Sequence, residues 1–209
     1  MAVTEKKKRY LAAFGAIITI LAALCWHYFL EPWGFYSNLP EEEKLLRIQT
    51  VAAAETYLGC QESDGTHKSI IDLYNSHEPL AVDYVVQYDD SWCAVFISAV
   101  AISQELTDII PTECGCERQI GLWQNLGCWK EQDFHIPQPG DLIYYDWEDS
   151  GKGDCRGWSD HVGMVVGIKW PFIKVIEGNK DDMVTYRFLH INDETIRGFG
   201  IPDYRSIIQ

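Results

Sequence analysis

Basic residues are scarce in this sequence of 209 residues, which holds 17 lysines and arginines against 31 aspartates and glutamates. Four of the basic residues stand together at Lys6 to Arg9, so the rest of the chain is more acidic than the net charge of −14 suggests. A protein that binds nucleic acid through its phosphates needs a basic face. The sequence therefore predicts no nucleic-acid partner.

Internal repeats and low-complexity tracts are also absent, which excludes solenoids and fibrous proteins. The eight prolines are spread thinly, and 47% of the residues are hydrophobic. A chain of this length can build one domain of about 150 residues with its own core, together with an accessory segment.

The seven cysteines lack the spacing of a structural zinc site, because Cys114 and Cys116 are separated by one residue and no regular histidine pair follows. Outside a reducing compartment disulfides are the alternative. Cys25 lies in the apolar run at the start of the chain, and Cys93 stands at the entrance of a second apolar run. The other five form an odd set whose pairing the sequence does not fix: Cys60, Cys114, Cys116, Cys128 and Cys155.

An apolar run opens the chain. Leu11 to Leu30 contains no charged residue, and 20 helical residues span about 30 Å, the thickness of the bilayer hydrocarbon. The basic cluster precedes this run, which favours a cytoplasmic N-terminus. We therefore predict a cytoplasmic tail at 1–9, a transmembrane signal anchor at 10–30 and a juxtamembrane linker at 31–44, with the body outside the cytoplasm. A cleaved signal peptide is the alternative.

A second apolar run places one cysteine at a helix entrance. Trp92 to Ile102 has almost no polar residue, so we expect a helix buried on nearly all sides. Asp89, Asp90 and Ser91 precede it as candidates for the N-cap. Cys93 would then lie in the first turn, where free N–H groups favour the thiolate. The alternative for this residue alone is a buried structural thiol.

A proton carrier for such a thiolate is offered further along. His161 opens a β-branched run, and Glu177 ends a second one after a short connection around Lys169 to Pro171. If the two runs form neighbouring antiparallel strands, both side chains lie at the same end of the sheet. Cys93, His161 and Glu177 can then meet as nucleophile, base and orienting carboxylate.

Helical patterns come first in the chain and strand patterns follow from Asp141 onward. This order predicts an α+β fold in which N-terminal helices pack on an antiparallel sheet. The first of these helices begins after Pro40 and ends near Gly59. We expect it to pack through two apolar stripes, Leu45, Ile48 and Ala52, and Val51, Ala54 and Leu58.

Four short motifs succeed one another along the chain: Trp92-Cys93-Ala94-x-Phe96, Pro139-x-Asp141, Asp160-His161-Val162-Gly163 and Ile176-Glu177-Gly178-Asn179. Their order, and the short interval between the histidine and the glutamate, resembles the CHAP family, the cysteine, histidine-dependent amidohydrolase/peptidases. The resemblance implies a papain-like CHAP catalytic domain over residues 45–209.

The same resemblance implies roles for four residues. Cys93 would be the nucleophile, His161 the proton carrier and Glu177 its orienting partner, with Asn179 as a fourth member. It also implies a membrane-anchored peptidoglycan hydrolase that acts as an N-acetylmuramoyl-L-alanine amidase or as a stem-peptide or cross-bridge endopeptidase. We expect no cofactor and no bound metal, although the acidic run from Asp146 to Asp160 leaves Ca²⁺ as an alternative.

Two other functions stay open at this point. One is a catalytically retired, membrane-tethered binding or assembly module that keeps the CHAP shape. The other is a protein-directed cysteine peptidase, which shares the chemistry and differs in substrate.

Overall fold

The computed structural model describes residues 2–25, 32–131, 135–148 and 158–208. The chain divides into two compact units, Met1–Trp33 and Gly34–Gln209. The first unit contains helix α1, Ala2–Cys25. In the described part of the chain, no helix is both long enough and apolar enough to cross a membrane. The transmembrane helix predicted at 10–30 is therefore not supported, and residues 26–30 of that prediction lie outside the described residues.

The second unit is built from five α-helices, one short 3-10 helix at Ala81–Asp83 and six strands within the described residues. The helices are α2 Glu41–Glu55, α3 Lys68–Asn75, α4 Cys93–Ser103, α5 Cys116–Asn125 and α6 Tyr204–Ile208. The strands are β1 Trp129–Glu131, β2 Leu142–Tyr145, β3 His161–Lys169, β4 Phe172–Lys180, β5 Met183–His190 and β6 Ile196–Gly200. The predicted α+β order is confirmed, whereas β1 and α6 were not predicted from the sequence.

The six strands form one sheet in the order β1-β6-β2-β3-β4-β5, and every neighbouring pair is antiparallel. Strands β3 and β4 pair with Met164 opposite Ile176 and Lys169 opposite Phe172, so a tight connection joins them. Both are rich in β-branched residues, which suit the pleated surface. The prediction that the histidine and glutamate runs form adjacent strands is confirmed.

Helix α4 lies in the core against one face of the sheet. Every residue from Cys93 to Ala101 is buried, because α4 packs on β3 and β4 and has α2, α3 and α5 beside it. This confirms the expected all-round burial. A separate apolar cluster that includes Ile143 and Phe199 covers the opposite face of the sheet. The helix that carries the cysteine is therefore held by the core on nearly all sides.

Helix α2 packs through Val51 and Ala54 of the second predicted stripe and not through the first stripe. Leu45 and Ile48 are 57% and 51% exposed, whereas Val51 and Ala54 are buried. Arg47 also faces inward, where it donates to Asp141 at 2.7 Å and to Glu43 at 2.9 Å. The apolar spacing was misleading at the start of α2 because a buried ion pair, rather than leucine and isoleucine, attaches that turn to the sheet.

Candidate active site

Cys93 is the first residue of α4 and is 6% exposed. The N-cap is Trp92, and it makes no capping hydrogen bond through its side chain. The predicted caps were wrong: the carboxylate of Asp90 instead accepts hydrogen bonds from the Gln87 N–H and the Tyr84 hydroxyl, both at 2.8 Å. The N–H groups of the first turn are therefore left available to the cysteine sulfur.

His161 begins β3 and lies opposite Tyr145 of β2. The residue is 8% exposed, and the ring centroids of Tyr145 and Trp147 each lie 5.9 Å from the centroid of its imidazole ring. Its Nε2 lies 3.2 Å from Oε2 of Glu177. The other ring nitrogen, Nδ1, is thus the one left for proton exchange with Cys93.

Glu177 lies in β4 and is completely buried. Besides His161 it has a second cationic partner, Arg187 of β5, whose Nε donates to Oε1 at 2.7 Å and to Oε2 at 3.0 Å. A buried carboxylate requires such partners to stay ionised. Burial would raise the pKa of Glu177, but the hydrogen bonds and charges of His161 and Arg187 outweigh it and lower the pKa.

Three neighbours set the protonation of the nucleophile. The hydrogen bond with Cys116 lowers the pKa of Cys93 well below its ordinary value, and this effect exceeds the opposing effect of burial. Interaction with His161 and the backbone N–H of Ala94 lower the pKa further. A thiol in this position loses its proton more readily than a free cysteine.

The histidine is shifted in the complementary direction. Burial alone would lower the pKa of His161, but interactions with Cys93 and Glu177 outweigh it and raise the pKa to about 9. A lowered thiol pKa beside a raised imidazole pKa gives a thiolate and an imidazolium around neutral pH. The arrangement therefore holds a charged nucleophile next to a proton donor.

Cys116 is a member of this site that the sequence analysis did not find. Its Sγ lies 3.5 Å from Sγ of Cys93, and both thiols are free. It is the first residue of α5, and the side chain of the next residue, Glu117, accepts a hydrogen bond from the Ser159 N–H at 3.0 Å. This bond ties the start of α5 to the segment that enters β3.

Two glycines of the motifs allow the elements to approach. A Cβ built on Gly178 would lie 2.4 Å from Cβ of Phe96 in α4, and one built on Gly163 would lie 2.7 Å from Cγ of Glu177. Neither distance is compatible with a side chain at that position. The glycines therefore bring β4 against α4 and leave the room that the Glu177 side chain occupies.

Asn179 lies near the end of β4, two residues after Glu177. It has a left-handed backbone with φ of 55°, at the point where the pairing of β4 with β5 shifts register between Glu177 and Lys180. Among the described residues its side chain makes no hydrogen bond with His161. Its catalytic role stays a prediction.

The remaining motif has a structural position. Asp141 precedes β2 and accepts hydrogen bonds from Arg47 and from the Gln138 N–H at 2.8 Å. Arg47 also lies over the ring of Tyr204 in α6, 4.5 Å from its centroid. Through Arg47, Asp141 therefore joins α2, α6 and the start of β2.

The acidic run considered for Ca²⁺ is only partly described. Asp146 and Asp160 accept hydrogen bonds from the backbone N–H groups of Glu148 and Trp147, and Asp149 and Asp154 lie outside the described residues. In the ranges that the structure covers, no three histidine, cysteine or acidic residues are grouped so that they could hold a metal ion.

Comparisons with known proteins find distant structural likeness. No family model matches the chain, and no curated protein matches it. An NlpC/P60 family protein from Bacillus cereus ATCC 10987 is 14% identical with a TM-score of 0.42, covering 78% of this chain and 40% of that one. The protein Ly7917 is 13% identical with a TM-score of 0.43, covering 76% of this chain and 62% of that one. The chain thus spans less than two thirds of the length of either protein.

Proposed function

We propose that the unit Gly34–Gln209 is a cysteine hydrolase that cleaves an amide bond of peptidoglycan. The bond is either the amide between N-acetylmuramic acid and L-alanine or a peptide bond of the stem or cross-bridge. The observation that supports this most directly is the grouping of Cys93, His161 and Glu177, with the 3.2 Å contact between the last two. The choice of peptidoglycan rests on the motif resemblance to the CHAP family.

In the first half-reaction the Cys93 thiolate attacks the amide carbonyl carbon, and the carbonyl electron pair moves to oxygen. The imidazolium of His161 then gives its proton to the leaving nitrogen as the C–N bond breaks. The products are a free amine and a thioester on Cys93. Glu177 stays ionised throughout, because its task is to orient the ring and stabilise the imidazolium.

In the second half-reaction water replaces the amine. Neutral His161 accepts a proton from the water while the oxygen attacks the thioester carbon. The thiolate of Cys93 leaves, the carboxylic acid is released, and the thiolate–imidazolium pair is restored. The backbone N–H of Cys93 is the natural donor to the oxyanion in both steps, because it lies in the uncapped first turn of α4.

A cavity of about 360 Å³ lies beside the segment that precedes α4. Ser91, two residues before Cys93, lines it together with Tyr84, Asp90 and Arg118. The walls therefore combine an aromatic ring with one acidic and one basic side chain. Stem peptides carry both carboxylates and amide groups, and we propose that part of the acyl side of the substrate lies here.

Location outside the cytoplasm and attachment at residues 10–30 belong to the same proposal. They are supported by the uncharged run from Leu11 to Leu30 and the basic cluster before it. Attachment would keep the hydrolase close to the wall without a separate wall-binding module.

The test is digestion of purified peptidoglycan by the full-length protein under reducing conditions. New amino groups are counted over time, and the released fragments are identified by mass. We expect wild type to release fragments whose masses identify either the muramoyl amide or a peptide bond. Cys93→Ala should release none, since it lacks the nucleophile.

The matched control is Cys128→Ala, which removes a half-buried free thiol that has no place in the grouping above. This variant should digest the wall as wild type does. Equal release by Cys93→Ala and wild type, or no release by wild type from several wall chemotypes, would refute the proposed hydrolase and favour a binding module.

A further inference from the structure

The two thiols at the start of α4 and α5 face each other in the core. Cys93 and Cys116 are 6% and 7% exposed, and their sulfur atoms are 3.5 Å apart although 23 residues separate them in sequence. A disulfide has an S–S distance of about 2.05 Å, so bonding requires the sulfur atoms to approach by about 1.5 Å. Rotation of two cysteine side chains is the kind of movement that provides such a shift.

Cys114 provides an internal comparison, because it is also free and lies only two residues from Cys116. Its Sγ accepts a hydrogen bond from Nη2 of Arg118 at 3.2 Å, and burial raises its pKa. The two neighbouring cysteines therefore have different hydrogen-bond partners: Arg118 for Cys114 and Cys93 for Cys116.

Cys93 and Cys116 differ in protonation, as thiol–disulfide chemistry requires: one is a thiolate and the other a thiol. The hydrogen bond from Cys116 lowers the pKa of Cys93, and the same hydrogen bond, with burial, raises the pKa of Cys116. Cys93 is therefore the thiolate that reacts first with an oxidant, and Cys116 is the thiol beside it.

We propose that Cys93 and Cys116 are a redox site, in which a hydroperoxide converts the two thiols to a reversible intramolecular disulfide. The Cys93 thiolate attacks one peroxide oxygen, the O–O bond breaks, and the departing oxygen takes the proton of the His161 imidazolium and leaves as water or alcohol. Cys116 then attacks the sulfur of the Cys93 sulfenic acid. The S–S bond forms, the S–O bond breaks, and hydroxide leaves as water with the proton of Cys116.

The two sulfur atoms together lose two electrons, and the peroxide gains them. A dithiol reductant reverses the step by thiol–disulfide exchange. The consequence for activity rests on the proposed function: a bonded Cys93 has no thiolate, so the hydrolase is inactive until it is reduced. The pair also protects the nucleophile, because a sulfenic acid captured by Cys116 does not proceed to the irreversible sulfinic acid.

The experiment treats the reduced full-length protein with hydrogen peroxide, blocks the remaining thiols by alkylation, and maps the peptides by mass. Trypsin leaves both cysteines in one peptide, so a second cleavage after glutamate is needed; Glu105 and Glu113 lie between them. In wild type we expect the Cys93 and Cys116 peptides to be linked, about 2 Da lighter than the sum of the two thiol peptides, and separated again by dithiothreitol.

Two comparisons identify the cysteine that forms the disulfide with Cys93. Cys114→Ser should keep the link, since Cys114 takes no part in it. Cys116→Ser and Cys116→Ala should lose it, and Cys93 should then gain about 32 Da as sulfinic acid that dithiothreitol does not remove. Two Cys116 variants guard against a folding defect in one of them.

A link that persists in both Cys116 variants, or wild-type Cys93 oxidised to sulfinic acid as fast as in those variants, would overturn the proposal. Peptide mapping requires no turnover, so it is independent of the hydrolase assay. A linked wild type without wall digestion refutes the proposed function and supports the redox site, whereas digestion without a link does the reverse.

Discussion

Arg187 donates through Nε to both carboxylate oxygens of Glu177, at 2.7 and 3.0 Å, and shares one of them, Oε2, with His161. The glutamate therefore neutralises two cations at once while being completely buried. Arg187 also lies over the ring of Trp147, 4.9 Å from its centroid, and Trp147 stacks on Tyr145. Arg187 thus contacts the candidate active site through Glu177.

Replacing Arg187 with Gln should destabilise the fold and leave the orienting carboxylate poorly compensated. We expect the free energy of unfolding to fall by about 2 kcal/mol, less than for a fully buried pair because the arginine side chain is 29% exposed. Urea unfolding at neutral pH measures this. Lys180→Gln is the control, since its pair with the exposed Asp181 is screened by solvent and should contribute much less to stability. Equal losses in the two variants would contradict the assigned role.

The pH dependence of activity should follow the loss of the proton from the His161 imidazolium. Because the pKa of His161 is raised to about 9, its proton is present below that pH and is lost above it. We therefore predict that kcat/KM declines on the alkaline side near pH 9. In Glu177→Gln the imidazolium loses its anionic partner, so the decline should move to lower pH, and kcat should fall by a larger factor than KM rises.

The control for that variant is Glu55→Gln, which removes the same charge from a carboxylate that accepts a hydrogen bond from the Tyr186 hydroxyl at 2.7 Å. Its pH profile should match that of wild type. An unchanged alkaline limb in Glu177→Gln would remove Glu177 from the catalytic group.

Much of the candidate active site can be predicted from the sequence because it depends on local patterns. An apolar run with one cysteine at its entrance predicts α4 and its burial, and two β-branched runs with a short connection predict the β3–β4 pair. His161 and Glu177 follow from that pairing, since each stands at the end of its run. These features need only periodicity and strand adjacency.

The parts that were missed depend on contacts between distant elements. Arg187 reaches Glu177 because β5 pairs with β4, and nothing in the alternation of β5 marks that arginine as inward-facing. Cys116 belonged to an odd set of cysteines and had no distinguishing spacing. Leu45 was expected to be buried, whereas the Arg47 and Asp141 pair occupies the interface instead. Side-chain chemistry at such crossings is not encoded in the hydrophobic pattern.

The close approach of β4 to α4 gives a further prediction. A methyl group at Gly178 would lie 2.4 Å from Cβ of Phe96 and 3.0 Å from the Trp92 ring, so α4 must move. We expect Gly178→Ala to lower the free energy of unfolding by about 1–3 kcal/mol and to reduce turnover, because Cys93 moves with the helix.

Gly121 provides the matched substitution, since it lies within α5 and a Cβ there would meet nothing within 4 Å. Gly121→Ala should stabilise the protein by about 0.5–1 kcal/mol through helix propensity, with turnover unchanged. Thermal or urea unfolding with a parallel activity assay distinguishes the two. A neutral Gly178→Ala would mean that β4 does not determine the position of the nucleophile.

The central claim is that Cys93 is a thiolate stabilised by its neighbours, and titration of its ultraviolet thiolate absorbance tests it most directly. Reduced wild type is titrated beside Cys93→Ala, and the difference at low pH reports the Cys93 thiolate. Burial raises the pKa of Cys60, Cys114 and Cys128, so they titrate later, and burial also acts to raise the pKa of Cys116 when its hydrogen bond with Cys93 is lost. We predict a midpoint well below the value of about 8.5 for an ordinary cysteine, and a higher midpoint in His161→Ala. A wild-type midpoint at or above the ordinary value would contradict the account, because the nucleophile would then be a buried structural thiol.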